Sequence, residues 1–316
     1  DTLRSRGLGD VYKRQFTDST SLGFVGCSGP VMAASGLDPA TIFPFPLDDF
    51  QLEAIDALNQ GHSVVVSAPT GSGKTLVGEY AIHRALAHGQ KVFYTTPLKA
   101  LCFQYLRDVR EAYGEHNVGL MSGDLSVNRE ASIVVMTTEI FRNMLYAEAD
   151  EHDDPLADVE AVVLDECHYM NDSQRGTVWE ESIIHCPPSV QLVALSATVA
   201  NAGQLTDWIE KVHGPTTLVL SDYRPVPLQF SFCSAKGLHP LLNDAGTGLH
   251  PNCKVWRAPK GHKRKGRSAK PPQPEPPPIS FVVAQMAERE MLPAIYFIFS
   301  RRGCDKAVRD LGIQCL

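Results

Sequence analysis

The residues best suited to chemistry form one glycine-rich run, Ser67-Ala68-Pro69-Thr70-Gly71-Ser72-Gly73-Lys74-Thr75. Gly71 and Gly73 allow backbone N–H groups to curl around an anion, and a helix that starts at Thr75 adds the positive end of its dipole. Lys74 is then placed to reach the β- and γ-phosphates, and the Thr75 hydroxyl is offered to Mg²⁺. The run predicts a nucleotide site formed by Ala68, Pro69, Thr70, Gly71, Ser72, Gly73, Lys74 and Thr75. A glycine-rich turn that binds nothing fits less well, because an apolar strand precedes the run and a helical pattern follows it.

A pair of acidic residues follows a second apolar stretch, in Ala161-Val162-Val163-Leu164-Asp165-Glu166-Cys167-His168. We expect Asp165 to hold Mg²⁺ through water and Glu166 to orient and deprotonate an attacking water. Together with Lys74, these acids form the predicted catalytic set. An Asp-Glu pair by itself is more often a solvated loop end. A buried strand that runs into the pair, downstream of a phosphate loop, favours the hydrolytic interpretation.

A third motif, Ser196-Ala197-Thr198, ends the apolar strand predicted over 191–195. Its small hydroxyls are suited to bond the acids at the neighbouring strand end. By itself the triplet is better explained as an ordinary strand-to-helix turn, with Thr198 or Asn201 as the helix cap.

These motifs must be positioned by the elements around them. From about residue 42 to 230, short apolar strands alternate with amphipathic helices, which predicts an α/β fold with a parallel sheet wrapped on both faces. The strands are expected at 63–67, 92–95, 118–121, 133–137, 161–165, 191–196 and 217–220, and a helix is expected over 75–88. This pattern is typical of a RecA-like P-loop NTPase domain.

The three motifs, in this order, resemble motifs I, II and III of the superfamily 2 DExH-box helicases. The segment 43–51 resembles that family's adenine-recognition segment, which implies that Phe45 stacks on adenine and Gln51 bonds its edge. The resemblance also implies that His168, with Ser196, Ala197 and Thr198, couples the nucleotide site to a moving second domain. Residues 172–181 are similar to the superkiller or antiviral branch of exosome-associated RNA helicases.

Further segments resemble the strand-contacting motifs of that family. Residues 95–101 are similar to motif Ia, 136–140 to motif Ib, and Gly123-Asp124 to a further strand-contacting turn. Because loops that follow neighbouring parallel strands emerge at one edge of the sheet, they are expected to line one groove. Backbone N–H groups, hydroxyls and Lys99 would grip phosphates without reading bases, which makes binding sequence-tolerant and sensitive to salt. The predicted contacts are Pro97, Lys99, Gly123, Thr137, Thr138 and Glu139. Without the resemblance, the threonine pair is better explained as strand-end residues.

Composition excludes several classes of protein. The chain has 316 residues, 43% of them hydrophobic, with a formal charge of −7, so any nucleic-acid binding must come from a local groove. No apolar run is long enough to span a bilayer. The eight cysteines are scattered without a Cys-x-x-Cys pair, so we expect neither a zinc site nor a disulfide framework, and an intracellular location.

The chain divides into five predicted segments. Residues 1–15 are expected to be artefactual or disordered, 16–41 an irregular lead-in, and 42–231 the ATP-binding domain. Residues 232–279 form a basic and proline-rich linker, read equally well as an electrostatic RNA tether or as a spacer. Residues 280–316 resemble the beginning of a second RecA-like domain, with helices over 280–290 and 301–312 and an exposed strand over 294–300.

The predicted function is that of an ATP-dependent RNA helicase that uses ATP and Mg²⁺ and acts with RNA and an exosome-type complex. Because the resemblance implies arginine fingers in the rest of the second domain, and such a residue contributes ~10³ to 10⁵ in rate, turnover by this chain is expected to be impaired. Two alternatives stay open, a DNA helicase of the same superfamily and a non-enzymatic module that binds ATP and RNA.

Overall fold

The computed structural model describes residues 37–146, 155–255 and 276–312. Residues 1–15, nearly all of the predicted lead-in and most of the basic run lie outside the described residues. The chain divides between Arg224 and Pro225 into two compact units, Asp1–Arg224 and Pro225–Leu316.

The first unit is built on one eight-stranded sheet with the order β4-β3-β5-β2-β6-β7-β1-β8. Its strands are β1 Ser63–Ser67, β2 Lys91–Thr96, β3 Val118–Met121, β4 Ser126–Val127, β5 Ile133–Thr137, β6 Val159–Leu164, β7 Gln191–Ser196 and β8 Thr216–Leu220. All neighbours pair in parallel except β3 and β4. The seven predicted strands are therefore confirmed, with ends within two residues of those expected, and the short β4 was missed.

Helices connect these strands and cover the sheet. They are α1 Pro39–Ile42, α2 Asp49–Asn59, α3 Thr75–His88, α4 Lys99–Tyr113, α5 Thr138–Tyr146, α6 Gly176–His185 and α7 Ala202–Val212. The predicted helix over 75–88 is confirmed at both ends, and it stops where Gly89 adopts a left-handed conformation (φ 70°). In the described part of the chain, no helix has the length and apolar character needed to cross a membrane.

The core lies on both faces of the sheet because successive strand side chains point in opposite directions. In β1 all five residues are buried, with Val64 and Val66 on one face and Val65 on the other. Helices α2, α3 and α4 pack on the first face, and α5, α6 and α7 on the second. Such continuous apolar strands are typical of a parallel sheet that is buried on both faces. Its strands end together at one edge, where the candidate motifs follow them.

The second unit contains an antiparallel pair and two helices, β9 Ser231–Ser234, β10 Gly237–Pro240, α8 Ile279–Ala287 and α9 Arg301–Gly312. The helix predicted over 301–312 is confirmed, and that predicted over 280–290 ends three residues earlier. The described part of the predicted linker over 232–279 therefore contains regular structure. A two-residue turn at Ala235 and Lys236 connects β9 to β10, and the two strands pair.

The strand predicted over 294–300 is wrong. These residues adopt no regular structure, and Ile295, Phe297 and Phe299 are 83%, 78% and 103% exposed. A strand is stable only when its N–H and C=O groups pair with a neighbour, and no strand in the described ranges pairs with this segment. The β-favouring sequence is therefore not enough to form one.

Candidate functional site

The glycine-rich run joins the end of β1 to the start of α3. Gly71 and Gly73 have φ values of 85° and 86°, in the left-handed region that residues with a Cβ rarely adopt. A Cβ at Gly73 would also lie 2.8 Å from Gln51 Nε2, so the loop is closely packed. The Ser72 hydroxyl is buried and has no hydrogen-bond partner among the described residues. The loop therefore has the conformation and the spare polar group that a phosphate site needs.

Lys74 lies between the loop and the acidic motif. Its Nζ donates to the carbonyl oxygens of Ala68 and Pro69, at 2.9 and 3.1 Å. Burial lowers the pKa of Lys74, and the negative charges of Glu166 and Asp165 oppose that change. The structure thus brings the lysine within electrostatic reach of both acids, which lie more than 90 residues away in sequence.

The predicted adenine segment contacts the phosphate loop through Gln51. Gln51 is buried; its Nε2 donates to the Gly73 carbonyl (3.0 Å), and its Oε1 accepts from the Asp48 N–H (2.9 Å) at the start of α2. Phe45 is partly buried and lies 5.9 Å from Phe43, measured between ring centroids. Gln51 is therefore a structural contact of the phosphate loop, and its predicted bond to adenine stays a prediction, as does stacking by Phe45.

The two acids directly follow β6. Asp165 Oδ1 accepts from the Glu166 N–H at 2.8 Å, and Oδ2 accepts from the Tyr94 hydroxyl at 3.0 Å. Burial, followed by the nearby Glu166 charge, raises the pKa of Asp165. Glu166 has a left-handed backbone (φ 53°), which is strained for a residue with a side chain and is often found at functional sites.

The third motif, residues 196–198, contacts the acidic motif and the phosphate loop mainly through backbone atoms. The Ala197 N–H lies 3.4 Å from His168 Nδ1, which in turn lies 3.3 Å from Glu166 Oε2. The sequence predicts that the Ser196 hydroxyl bonds the acids. In the structure it donates to the Ala197 carbonyl instead, at 2.9 Å. Thr198 is exposed. The segment nevertheless lies beside the phosphate loop, because the Ala68 N–H donates to the Ser196 carbonyl at 3.2 Å.

Two of the predicted strand-contacting residues lie together on the surface. Lys99, at the start of α4, forms an ion pair with Asp124, and both side chains are more than half exposed. A Cβ at the neighbouring Gly123 would lie 3.7 Å from Lys99 Nζ. This cluster is open to solvent and carries the cation that a phosphate contact requires.

The remaining predicted contacts are less accessible. Pro97, Thr137 and Thr138 are buried, and the Thr138 hydroxyl donates to the Thr96 carbonyl at 3.3 Å. The side chains of the threonine pair are therefore packed where β5 ends and α5 begins, which favours the structural interpretation of the pair. Only their backbone remains for a strand contact.

Arg175 was not among the predicted site residues, although it connects two of the predicted strand-contacting segments, at Pro97 and at Glu139. Its Nη2 donates to the Pro97 carbonyl at 2.7 Å and also pairs with Glu139 Oε1. Asp172 Oδ1 accepts from the N–H groups of Gln174 (2.9 Å) and Arg175 (3.0 Å) and so forms the turn that presents this side chain. The sequence indicates residues 172–181 only by their family resemblance, and no local pattern predicts the contacts of Arg175 with Pro97 and Glu139.

The donor set fits a nucleotide with magnesium. Mg²⁺ usually takes one or two carboxylates together with substrate phosphate oxygens. Asp165 supplies the carboxylate and Thr75, the first residue of α3, the hydroxyl. The left-handed glycines, Lys74 and the unpartnered Ser72 hydroxyl suit the phosphates. The residues present therefore match the group that the motifs imply.

Comparison with known proteins agrees with this geometry. Residues 48–205 match the family described as DEAD/DEAH box helicase. The chain is 43% identical over 307 residues to the DExH-box ATP-dependent RNA helicase DExH15, chloroplastic, of Arabidopsis thaliana, covering 85% of this chain and 26% of that protein. It is 42% identical over 272 residues to the Exosome RNA helicase MTR4 of Homo sapiens, covering 83% of this chain and 25% of that protein.

A solved structure of the Mycobacterium smegmatis helicase Lhr bound to ssDNA and AMP-PNP aligns with a TM-score of 0.47 and 30% identity, over 58% of this chain and 26% of that chain. The present chain spans about a quarter of the length of the two curated relatives named above.

Proposed function

The chain belongs to the DEAD/DEAH box helicase family, and from this premise we propose that it supplies the ATP- and RNA-binding unit of an ATP-dependent RNA helicase. The observation that carries the proposal is the meeting of three strand ends, β1, β6 and β7. Lys74 lies within electrostatic reach of Asp165 and Glu166, and Ala197 lies against His168. The same edge of the sheet carries the exposed Lys99 at the start of α4.

Each residue at this edge has a defined part in the proposal. The loop of residues 68–75 binds the phosphates, and Lys74 compensates their charge. Thr75 and Asp165 hold Mg²⁺, the latter partly through water; when bound, the ion neutralises charge on the β- and γ-phosphate oxygens. Glu166 orients the attacking water and accepts its proton.

Coupling is assigned to the residues that bridge motifs II and III. His168 Nδ1 is 3.3 Å from Glu166 Oε2 and 3.4 Å from the Ala197 nitrogen. A ring nitrogen that accepts from Ala197 cannot donate to Glu166, so a shift of the Ser196–Thr198 turn would change the surroundings of the base. Conformational steps of this kind commonly control phosphoryl transfer in motor enzymes.

RNA is proposed to bind by its backbone. Lys99 and Gly123 are the exposed members of the proposed surface, and Pro97, Thr137, Thr138 and Glu139 are its less accessible members. Contacts to phosphates fix the strand without reading its sequence. The choice of RNA over DNA is supported by the relatives in Arabidopsis thaliana and Homo sapiens, which are both RNA helicases, and a role beside an exosome-type complex by the human relative.

The test combines binding and turnover. We would measure the affinity of the chain for a labelled single-stranded RNA and for the matched DNA, and its ATP hydrolysis with and without that RNA. Glu166→Gln serves as the blank because it keeps the shape of the side chain and removes the base. The expected result is binding of ATP and tighter binding of RNA than of DNA, with little turnover by this chain. A chain of the length of its relatives should show RNA-stimulated turnover that Glu166→Gln abolishes.

Other results would point elsewhere. Equal or tighter binding of DNA favours a DNA helicase, since only contacts to the 2′-OH distinguish the strands. Binding of ATP and RNA without turnover, also in a chain of the length of its relatives, favours a non-enzymatic module.

A further inference from the structure

The side chain that orients Asp165 comes from a neighbouring strand. Tyr94 lies in β2, which pairs with β6 so that Tyr94 is opposite Val163. It is fully buried, and its hydroxyl donates to Asp165 Oδ2 at 3.0 Å. The other carboxylate oxygen accepts from the Glu166 N–H at 2.8 Å, and the Asp165 N–H donates to the Thr95 carbonyl at 3.0 Å. Both carboxylate oxygens are thus fixed by one donor each.

The ring of Tyr94 is itself fixed by two helices. Tyr105 of α4 stacks on it, with ring centroids 3.7 Å apart and an interplanar angle of 22°. On α3, Gly78 allows a close approach, because a Cβ there would lie 3.2 Å from Tyr94 Cε2. The hydroxyl therefore cannot swing away from Asp165 without displacing one of these helices.

A phenylalanine would fill nearly the same space as Tyr94. What the tyrosine adds is a hydrogen-bond donor aimed at a carboxylate in the interior of the protein, where the direction of each donor matters most. The packing of β2 against α3 and α4 does not need that hydroxyl, so its contribution lies at Asp165.

We propose that Tyr94 is a positioning residue for magnesium binding, which holds the Asp165 carboxylate in the orientation that receives the ion, and that Tyr105 keeps Tyr94 in place by stacking. This inference rests on the proposed function, because Asp165 is assigned to magnesium there. It adds two residues, one on β2 and one on α4, to the nucleotide site.

The test uses the whole chain and a fluorescent nucleotide, mant-ADP. Its dissociation constant is measured in EDTA and across a magnesium titration, for the unmodified chain, Tyr94→Phe and Tyr105→Leu. Tyr113→Phe is the matched control, because it removes another tyrosine hydroxyl from α4, one that does not touch Asp165. Binding in EDTA and the thermal midpoint report whether each variant keeps its fold and its phosphate loop.

We expect Tyr94→Phe to raise the magnesium concentration at half-effect roughly tenfold, the scale of one hydrogen bond to a charged group, with binding in EDTA unchanged. Tyr105→Leu should shift it in the same direction, and Tyr113→Phe should not shift it. An unchanged magnesium midpoint in Tyr94→Phe, or an equal loss of binding with and without magnesium, overturns the inference alone. If the unmodified chain binds mant-ADP under neither condition, both the inference and the proposed nucleotide site fail.

Discussion

Arg175 offers a sharp test of how the strand-contacting surface is assembled. Its guanidinium links the Pro97 carbonyl (2.7 Å) to the carboxylate of Glu139, which joins the loop after β2 to the first turn of α5. The residue that follows, Gly176, packs so closely that a Cβ would overlap the Met170 carbonyl. Arg175→Met removes the bridge and leaves a shorter, unbranched apolar side chain in its place.

The size of the effect follows from the partial burial of the bridge. The side chains of Arg175 and Glu139 are 35% and 32% exposed. A hydrogen bond to a charged group contributes about 1.5 to 3 kcal/mol, and an exposed ion pair about 0 to 1 kcal/mol. A value of about 1.5 kcal/mol is reasonable between these limits. If that energy orders the two segments for binding, its loss weakens RNA binding roughly tenfold.

The assay is fluorescence anisotropy with a labelled oligouridine at several salt concentrations. Lys99→Met, which removes a predicted phosphate contact, should weaken binding and lower the slope of log K against log salt by about 0.7. Arg175→Met should weaken binding with the slope unchanged, because Arg175 acts through the two segments. Arg107→Met, which removes an exposed charge on α4, is the matched control and should change neither quantity.

Two results would refute the reasoning on Arg175. If Arg175→Met binds RNA within about twofold of the unmodified chain, the bridge does not order the surface. If instead it lowers the salt slope as Lys99→Met does, Arg175 contacts phosphate directly. Nucleotide binding is expected to stay unchanged in either case.

Two further predictions concern stability. Burial, then the Asp108 charge, raises the pKa of Glu79 to about 7; its charged form is disfavoured in the folded state, so stability falls as pH rises from 4.5 to 7. Glu79→Gln should remove this pH dependence, which amounts to up to roughly 3 kcal/mol in the free energy of unfolding measured with urea. An unaltered pH profile would contradict this. Arg84→Met removes the nearer cation, 2.6 Å away, from Glu160, whose side chain is 10% exposed and still contacts His88 at 2.9 Å. It should cost about 3 kcal/mol. Lys91→Met, which breaks the exposed pair with Glu130, should cost under about 1 kcal/mol, and equal losses would refute the burial argument.

Local sequence is a good guide where one segment contains the whole signal. The alternation of apolar strands and helices predicts the parallel sheet, and the run from Ser67 to Thr75 predicts a strand, a turn and a helix in the correct order. Each of these depends on neighbouring residues and on burial of continuous apolar strands. The type and order of these elements are therefore determined by residues that are close together in the chain.

Other features depend on partners that are remote in sequence. Tyr94 meets Asp165 across 71 residues, and Arg175 meets Pro97 across 78, so neither contact has a local pattern. The segment 294–300 has strand-forming residues but no described neighbour to pair with. Tertiary context decides such cases over propensity.

The sequence also could not separate contact residues from buried ones. Thr137 ends β5 and Thr138 begins α5, in the position expected for nucleic-acid contacts, yet the two residues are 6% and 0% exposed. The two interpretations of this pair have the same residue types and spacing, and only the packing of α5 against the sheet distinguishes them.

The measurement that tests the central claim most directly is isothermal titration of this chain with ATPγS and magnesium, compared with Lys74→Ala. Lys74 is the cation held beside the glycine-rich loop and both acids. We predict measurable binding by the unmodified chain and a loss of roughly tenfold or more in the variant, because a charge-assisted contact to phosphate is removed. Lys91→Ala, a lysine paired with Glu130 and remote from the acids, should bind normally. Equal binding by the unmodified chain and Lys74→Ala would contradict the assignment of this loop as the nucleotide site.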